Sequence, residues 1–186
     1  MSEPLADSIE LRGDGLVLRP YRPEDSHALA AAARESAGSV GAWLPWCRTD
    51  YSEAEAGAWI MHCDEGWRSG EHFAFAAFDA ITAQFLGSAG LNQRNRPHNF
   101  MNLGYWVRAS RQGNAVAVRA VRLVAAFGFG QVGLTRIEIV TALNNRASRR
   151  VAEKSGAAFE AVARNRIVDR GNAVDAALYA LVPAPQ

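Results

Sequence analysis

The spacing of apolar residues divides the chain into alternating extended and helical segments. Residues 16–19 read as a short strand after a turn at 13–15. Pro23, Glu24 and Asp25 then open an alanine-rich helix to about Ser36, because proline and acidic residues suit a helix's first turn. Ser52 and Glu55 have capping-box spacing. Beyond them Ala56, Trp59, Ile60, Cys63 and Trp67 recur at i, i+3, i+4, i+7 and i+11, which predicts one buried helical face. Residues 73–78 and 85–91 predict strands joined by a turn at 79–84, and polar residues 92–99 predict a loop before a strand at 100–107. A helix is expected over 114–127, with Arg119 and Arg122 on its narrow polar side, then a strand over 135–142. Residues 145–155 predict a helix stopped by Gly156. Two last strands, near 157–167 and 173–182, flank a turn at 169–172. The order is β-α-α-β-β-β-α-β-α-β-β, an α/β pattern without repeat, low-complexity tract or linker. One domain over 1–186 is expected, with a short N-terminal extension at 1–14.

Composition narrows the class. Hydrophobic residues make up 49% of the 186 and charged ones 21%, enough apolar mass for a sizeable core. A formal net charge of +1 argues against a nucleic-acid or anionic-membrane partner. Cys47 and Cys63 form no C-x-x-C pair, which argues against a disulfide framework or a zinc site, and both read as reduced core residues. No apolar run approaches the roughly 18 residues of a membrane span, and the acidic start has no signal-like apolar stretch. A cytoplasmic enzyme or binding domain without a metal is the expectation, as monomer or homodimer.

The stretch richest in chemistry begins at Leu103-Gly104-Tyr105-Trp106-Val107 and continues through Gln112-Gly113-Asn114-Ala115-Val116-Ala117 into a helix. Successive backbone N–H groups at such a turn point one way, and the helix dipole adds positive charge, which suits a pyrophosphate. Small residues at Gly113, Ala115 and Ala117 let an anion approach closely. The same pattern also suits a plain strand–loop–helix connection. Residues 128–133 spell GxGxxG, but after a helix and before a strand, the inverse of the dinucleotide-binding context.

Seven fragments in order resemble the GNAT (Gcn5-related) N-acetyltransferase superfamily, in its RimJ/RimL-like ribosomal-protein branch. They are Leu18-Arg19-Pro20 with Pro23-Glu24-Asp25; Trp43-Leu44-Pro45-Trp46; Gly104-Tyr105-Trp106-Val107; Gln112-x-x-Ala115-x-Ala117; Asn145-Arg146-Ala147-Ser148; Ala152-Glu153-Lys154-Ser155-Gly156; and Leu178-Tyr179. The resemblance covers nearly the whole chain. It implies a mixed, mostly antiparallel sheet, splayed near its centre, with helices on both faces. It also implies that the amides of Gln112, Gly113, Asn114, Ala115, Val116 and Ala117 hold the acetyl-CoA pyrophosphate. Gly104 falls where the family's central strand bulges. Backbone around Val107 and the side chain of Asn145 would bond pantetheine, backbone N–H near Trp106 would polarise the thioester carbonyl, and Ser148 would protonate the departing thiolate. Ser148 equally suits an ordinary first-turn serine. Trp43 and Trp46, on the loop that flanks the family's acceptor, either line a pocket or cap the core.

Two departures stand out: Ala115 where the motif has glycine, and Ala157 where the family has phenylalanine. The base and acid positions of relatives hold Asn102, Val140 and Ala152. Glu138, on the same strand face as Val140, is a candidate base or one half of an ion pair with a nearby arginine. His27, His62, His72 and His98 form no spaced cluster and read as surface or core residues. An α-amine with pKa near 7.7–8 costs roughly 1 kcal/mol to deprotonate at pH 7, against about 4–5 for lysine. A site without an obvious base therefore suits an α-amine, or another low-pKa amine, better than lysine, and the α-amine of a protein N-terminus is the first acceptor. The expected reaction is direct acetyl transfer from acetyl-CoA to such an amine, with no covalent acyl-enzyme. A small-molecule amine acceptor and a catalytically silent acyl-CoA-binding module are the alternatives.

Overall fold

The computed structural model describes residues 9–183. Eight strands form one sheet: β1 (Leu11–Gly13), β2 (Leu16–Pro20), β3 (Phe73–Asp79), β4 (Phe85–Asn95), β5 (Phe100–Val107), β6 (Arg136–Ala142), β7 (Ala158–Asp169) and β8 (Asn172–Leu181). Helices α1 (Ser26–Ser36) and α2 (Glu53–Ser69) connect β2 to β3; α3 (Val116–Gly130) connects β5 to β6; α4 (Arg146–Lys154) connects β6 to β7. The spatial order is β1-β2-β3-β4-β5-β6-β8-β7. All neighbours are antiparallel except β5 and β6, whose parallel pairing requires the crossover that α3 supplies.

Alternation along the strands gives the sheet two faces. On one, Leu91, Leu103, Ile137, Ile139 and Tyr179 are buried with Val121, Val124 and Phe127 of α3 and Ala152 of α4. On the other, Ala74, Ala76 and Phe85 are buried with Leu29 of α1 and Ile60 and Cys63 of α2. Trp67 closes the end of α2 against Phe73, Phe75 and Phe127, with ring centroids 5.0, 5.1 and 5.7 Å away, and its Nε1–H donates to Ala74 O at 3.0 Å. At the entry to α1, Arg19 forks onto buried Asp25 through two 2.8 Å bonds, and Asp25 also accepts the Arg22 N–H. That explains the pairing of Arg19 with Pro23-Glu24-Asp25 in the sequence.

The sheet splits at its centre. β5 pairs with β6 only through Phe100–Arg136, Met101–Ile137 and Asn102–Glu138. Beyond Asn102 the two strands diverge, β5 keeping its pairing with β4 and β6 with β8. Asn102 marks the fork. Its Nδ2 donates to Asn92 Oδ1 at 2.9 Å, and its Oδ1 accepts the Val140 N–H at 3.3 Å.

Several details differ from the sequence reading. Leu11–Gly13, inside the stretch read as an extension, pairs with β2 as a strand; residues 1–8 lie outside the described residues. The pairing of β4 with β5 runs in unbroken register through Gly90–Gly104, so no bulge occurs at Gly104 against β4. The irregularity falls on β4 instead, where Gln93 and Arg94 together oppose Met101. This bulge carries β4 on to Asn95, through residues the polar composition had marked as loop. Trp59, expected on the buried face of α2, is 41% exposed. Ala56, Ile60, Cys63 and Trp67 suffice to bury that face.

Candidate active site

The loop between β5 and α3 is built to present backbone N–H groups. After Val107 the chain makes a 3-10 turn at Ala109–Arg111. Gln112 N–H donates back to Ala109 O at 3.3 Å. Gly113 at φ 81° and Ala115 at φ 55° are both left-handed, and α3 starts at Val116 rather than at Asn114. The N–H groups of residues 113–118 find no acceptor among the described residues, and Gly113, Asn114 and Ala115 are exposed. These are the open donors of a helix start, with the positive end of the α3 dipole behind them. Arg119 anchors the turn through bonds to the carbonyls of Asn114 and Asp14. The Gln112 side chain donates to Val107 O at 3.0 Å and Ser39 Oγ at 3.1 Å. Gln112 thus contributes as a brace, its own N–H being taken.

The end of α1 holds the same turn. Glu35 accepts the guanidinium of Arg108 and the Ser110 N–H, the latter at 2.8 Å, and Ser36 Oγ accepts the Ala109 N–H at 3.0 Å. The Arg108 bond, more than the Ser110 ones, holds the Glu35 carboxyl down at about 2.

Between this turn and the fork lies the slot. Arg108 N–H donates to Leu86 O at 2.9 Å. Antiparallel alternation then directs the backbone groups of Trp106 and Gly104 toward β4, and those of Leu103, Tyr105 and Val107 into the slot. Near Trp106, then, the N–H groups that face the slot are those of Tyr105 and Val107, the Trp106 N–H being turned toward β4. The Val107 carbonyl accepts the Gln112 side-chain amide.

Across the slot, Ser148 Oγ and Tyr105 Oη lie 2.9 Å apart, and Tyr105 Oη is also 3.0 Å from Ser148 O. Burial pushes the Tyr105 phenol up to about 12, so it is a donor at neutral pH. Tyr105 can donate to the Ser148 carbonyl while Ser148 donates to it. Tyr105 was quoted in the sequence only as part of a strand motif, and no local spacing ties it to Ser148. Asn145 is committed as the N-cap of α4, its Oδ1 accepting the Ser148 N–H at 3.0 Å. Its side-chain amide N–H groups remain for a ligand.

A sheet split at its centre, with β5 feeding a turn of open N–H groups, matches a known architecture. The model of the acetyltransferase (GNAT) domain family matches residues 15–158. The chain belongs to this family. It is 24% identical over 173 residues to YdaF of Bacillus subtilis (strain 168), assigned as a ribosomal N-acetyltransferase, covering 90% of this chain and 91% of that one. Mycobacterium smegmatis RimJ in complex with CoA-disulfide superposes with a TM-score of 0.83 at 22% identity, covering 93% of this chain and 85% of the other. RimL, a ribosomal L7/L12 alpha-N-protein acetyltransferase solved with coenzyme A, gives 0.85 at 18%, covering 94% and 98%. These neighbours share this chain's fold, and the family match makes it a GNAT acyltransferase.

The opposite face, beside α1 and α2, carries the other expected residues. Asn102 and Glu138 line a cleft of about 860 Å³ at the closed end of the fork. Glu138 accepts Arg136 Nε at 2.9 Å, and Arg136 also grips Glu160, so the carboxylate sits in an ion-pair network. Trp46 and Trp43 are 36% and 39% exposed, and Trp46 meets Trp106 edge-on at 5.4 Å and Tyr51 at 5.6 Å. Neither is a buried core anchor. The histidines do not all stand apart. His62 and His72 stack at 4.5 Å beside Trp59, and His72 Nε2 is buried without a hydrogen-bond partner among the described residues. Burial first, then His62, holds His72 below the usual imidazole range. Ten residues and a helix end separate the two, which hides the contact from sequence spacing.

Cys47 and Cys63 are free and buried. Among the described residues, no group of three or more His, Cys, Asp or Glu side chains could hold a metal, and no helix is long and apolar enough to cross a membrane.

Proposed function

We propose that the chain transfers an acetyl group from acetyl-CoA to a primary amine, and that its acceptor is the α-amine at a protein N-terminus. The observation that carries this is the continuity of the slot: the open edge of β5 leads from the fork at Asn102 to the unpaired N–H groups of residues 113–118. A long thin ligand with an anionic end fits that path. Gly113 to Ala117 would hold the pyrophosphate through backbone N–H. Leu103, Tyr105 and Val107 would pair with the pantetheine amides as a missing strand would, with Asn145 on the facing side.

In the reaction an N–C bond forms and the C–S bond breaks; the amine loses one proton and the sulfur gains one. The Tyr105 N–H is placed to stabilise charge on the carbonyl oxygen. Ser148 supplies the proton to sulfur, and the Tyr105 phenol orients its hydroxyl. Glu138 is held by Arg136, and Asn102 is an amide tied to Asn92 and Val140, so neither supplies a free base. That favours an α-amine, already about a tenth neutral at pH 7, over lysine. The RimL neighbour, named for an alpha-N-protein activity, supports the same acceptor class. Free buried thiols and an acetyl-CoA donor suit the cytoplasm.

Ala117→Glu tests the donor site. A carboxylate in the first turn of α3 would meet the pyrophosphate, so calorimetry should show acetyl-CoA binding lost while circular dichroism stays native. Unchanged affinity in the folded variant would place the cofactor elsewhere.

A further inference from the structure

We propose that the acceptor peptide carries acidic side chains just behind its amine, and that Arg94 and Arg166 read them. The inference rests on the α-amine reading above and adds the charge of the segment that follows the amine.

The cleft beside Asn102 and Glu138 is the place where an acceptor meets a thioester lying in the slot. The anion-binding turn lies beyond the far end of β5, so a donor threaded from there brings its acyl end toward the fork. The acceptor enters from the cleft at the fork's closed end. Arg94 and Arg96 of β4 and its hairpin form one wall of this cleft, and Arg166 of β7 forms the other.

The charges in the cleft do not cancel. Its two carboxylates already have partners: Glu71 is paired with Arg96, and Glu138 with Arg136. Arg94 donates only to Gly70 O, at 2.6 Å, where it caps the end of α2 and leaves its other N–H groups unused. Arg166 has no hydrogen-bond or ion-pair partner among the described residues. Two guanidinium groups thus face the cleft without a carboxylate, in a chain of net charge +1. Such groups recognise planar oxyanions through paired N–H donors.

The backbone is bent at both arginines. Arg94 lies in the β4 bulge with Gln93, whose φ is 50°. Arg166 lies in a second irregularity, where Arg164, Asn165 and Arg166 stand opposite the single Asp175 and Asn165 has φ 52°. Bulges re-aim side chains, and each keeps a non-glycine residue in a disfavoured conformation. These two, one on β4 and one on β7, each present an arginine to the same cleft. Arg166 is exposed, so the outer wall meets solvent, and a chain continuing from the cleft has room to leave.

Matched hexapeptides with Asp or Glu, Gln, or Lys at positions two to four, assayed by CoA release with the full chain and acetyl-CoA, test this. The acidic set should exceed the neutral set in kcat/KM by about 10-fold, a preference that shrinks in high salt. Arg166→Glu should abolish the acidic preference and shift it toward the Lys set, whereas Arg166→Lys should retain much of it; thermal unfolding verifies that both variants are folded. Equal rates on all three sets, or a uniform loss in Arg166→Glu, would overturn the charge reading while leaving the α-amine acceptor standing. Turnover of small amines bearing a carboxylate or phosphate, with none of any peptide, would overturn both.

Discussion

Ala115 carries a measurable strain. An L-residue in the left-handed region costs roughly 1–2 kcal/mol, and φ 55° puts Ala115 there, directly before the first turn of α3. Glycine adopts that conformation freely but is more flexible in the unfolded chain. Ala115→Gly should therefore stabilise the protein by about 0.5–1 kcal/mol, seen as a rise in Tm, with acetyl-CoA KM unchanged or lower. A less stable variant would mean the methyl group has a packing role. Ser148 and Tyr105 form the other residue-scale unit. Ser148→Ala should lower kcat by about 10- to 10³-fold with little change in acetyl-CoA KM. Tyr105→Phe should lose less, and the double variant no more than Ser148→Ala alone, because the phenol acts through the serine. Full kcat in Ser148→Ala would leave that hydroxyl only its place near the helix start. In the sequence Ser148 was legible from N-x-x-S; Tyr105 as its partner was not, since 43 residues separate them and only folding joins them.

The tie between α1 and the turn before α3 joins a helix to the proposed cofactor site. Glu35 leaves the end of α1 and grips Arg108 and the Ser110 N–H, so a helix on one face steadies the turn that faces the other. The Glu35 carboxyl is held at about 2, against 4.5 for an unperturbed glutamate. A depressed carboxyl stabilises the fold fully above the unfolded value and loses that contribution as pH falls toward the folded one. Wild type and Glu35→Gln should therefore differ in stability near pH 6, with the gap closing between about pH 4.5 and 2. At neutral pH the variant should show an acetyl-CoA KM raised about 3- to 10-fold, since a charge-assisted anchor is lost. An unchanged KM would mean that Ser36 and Gln112 hold the turn without it. Elements with strong periodicity were readable directly, as α3 was from its unbroken apolar side. The strand β1 was not, because three residues with one apolar side chain carry no period. Neither bulge was visible, because each is a mismatch of register between two strands rather than a property of one.

At the scale of the whole molecule, residues far apart in sequence explain why scattered fragments were informative. The tryptophan loop at 43–46 and the strand at 104–107 meet at Trp46 and Trp106. The opening strand and the first turn after it meet at Arg19 and Asp25. What the fragments could not show was the polar side of the fork, where the resemblance led one to expect a base and the chain has Asn102. The structure gives Asn102 another task, as a clamp between β4 and β6. That clamp, three residue pairs and the bond from the Thr135 N–H to Asn99 O beside them join, within the sheet, a five-stranded plate to a three-stranded one. A hinge so narrow is compliant. A donor lying along β5 would add rungs on the open side and stiffen the joint, and its departure as product would soften it again, so each turnover would tense and relax the sheet along the same line.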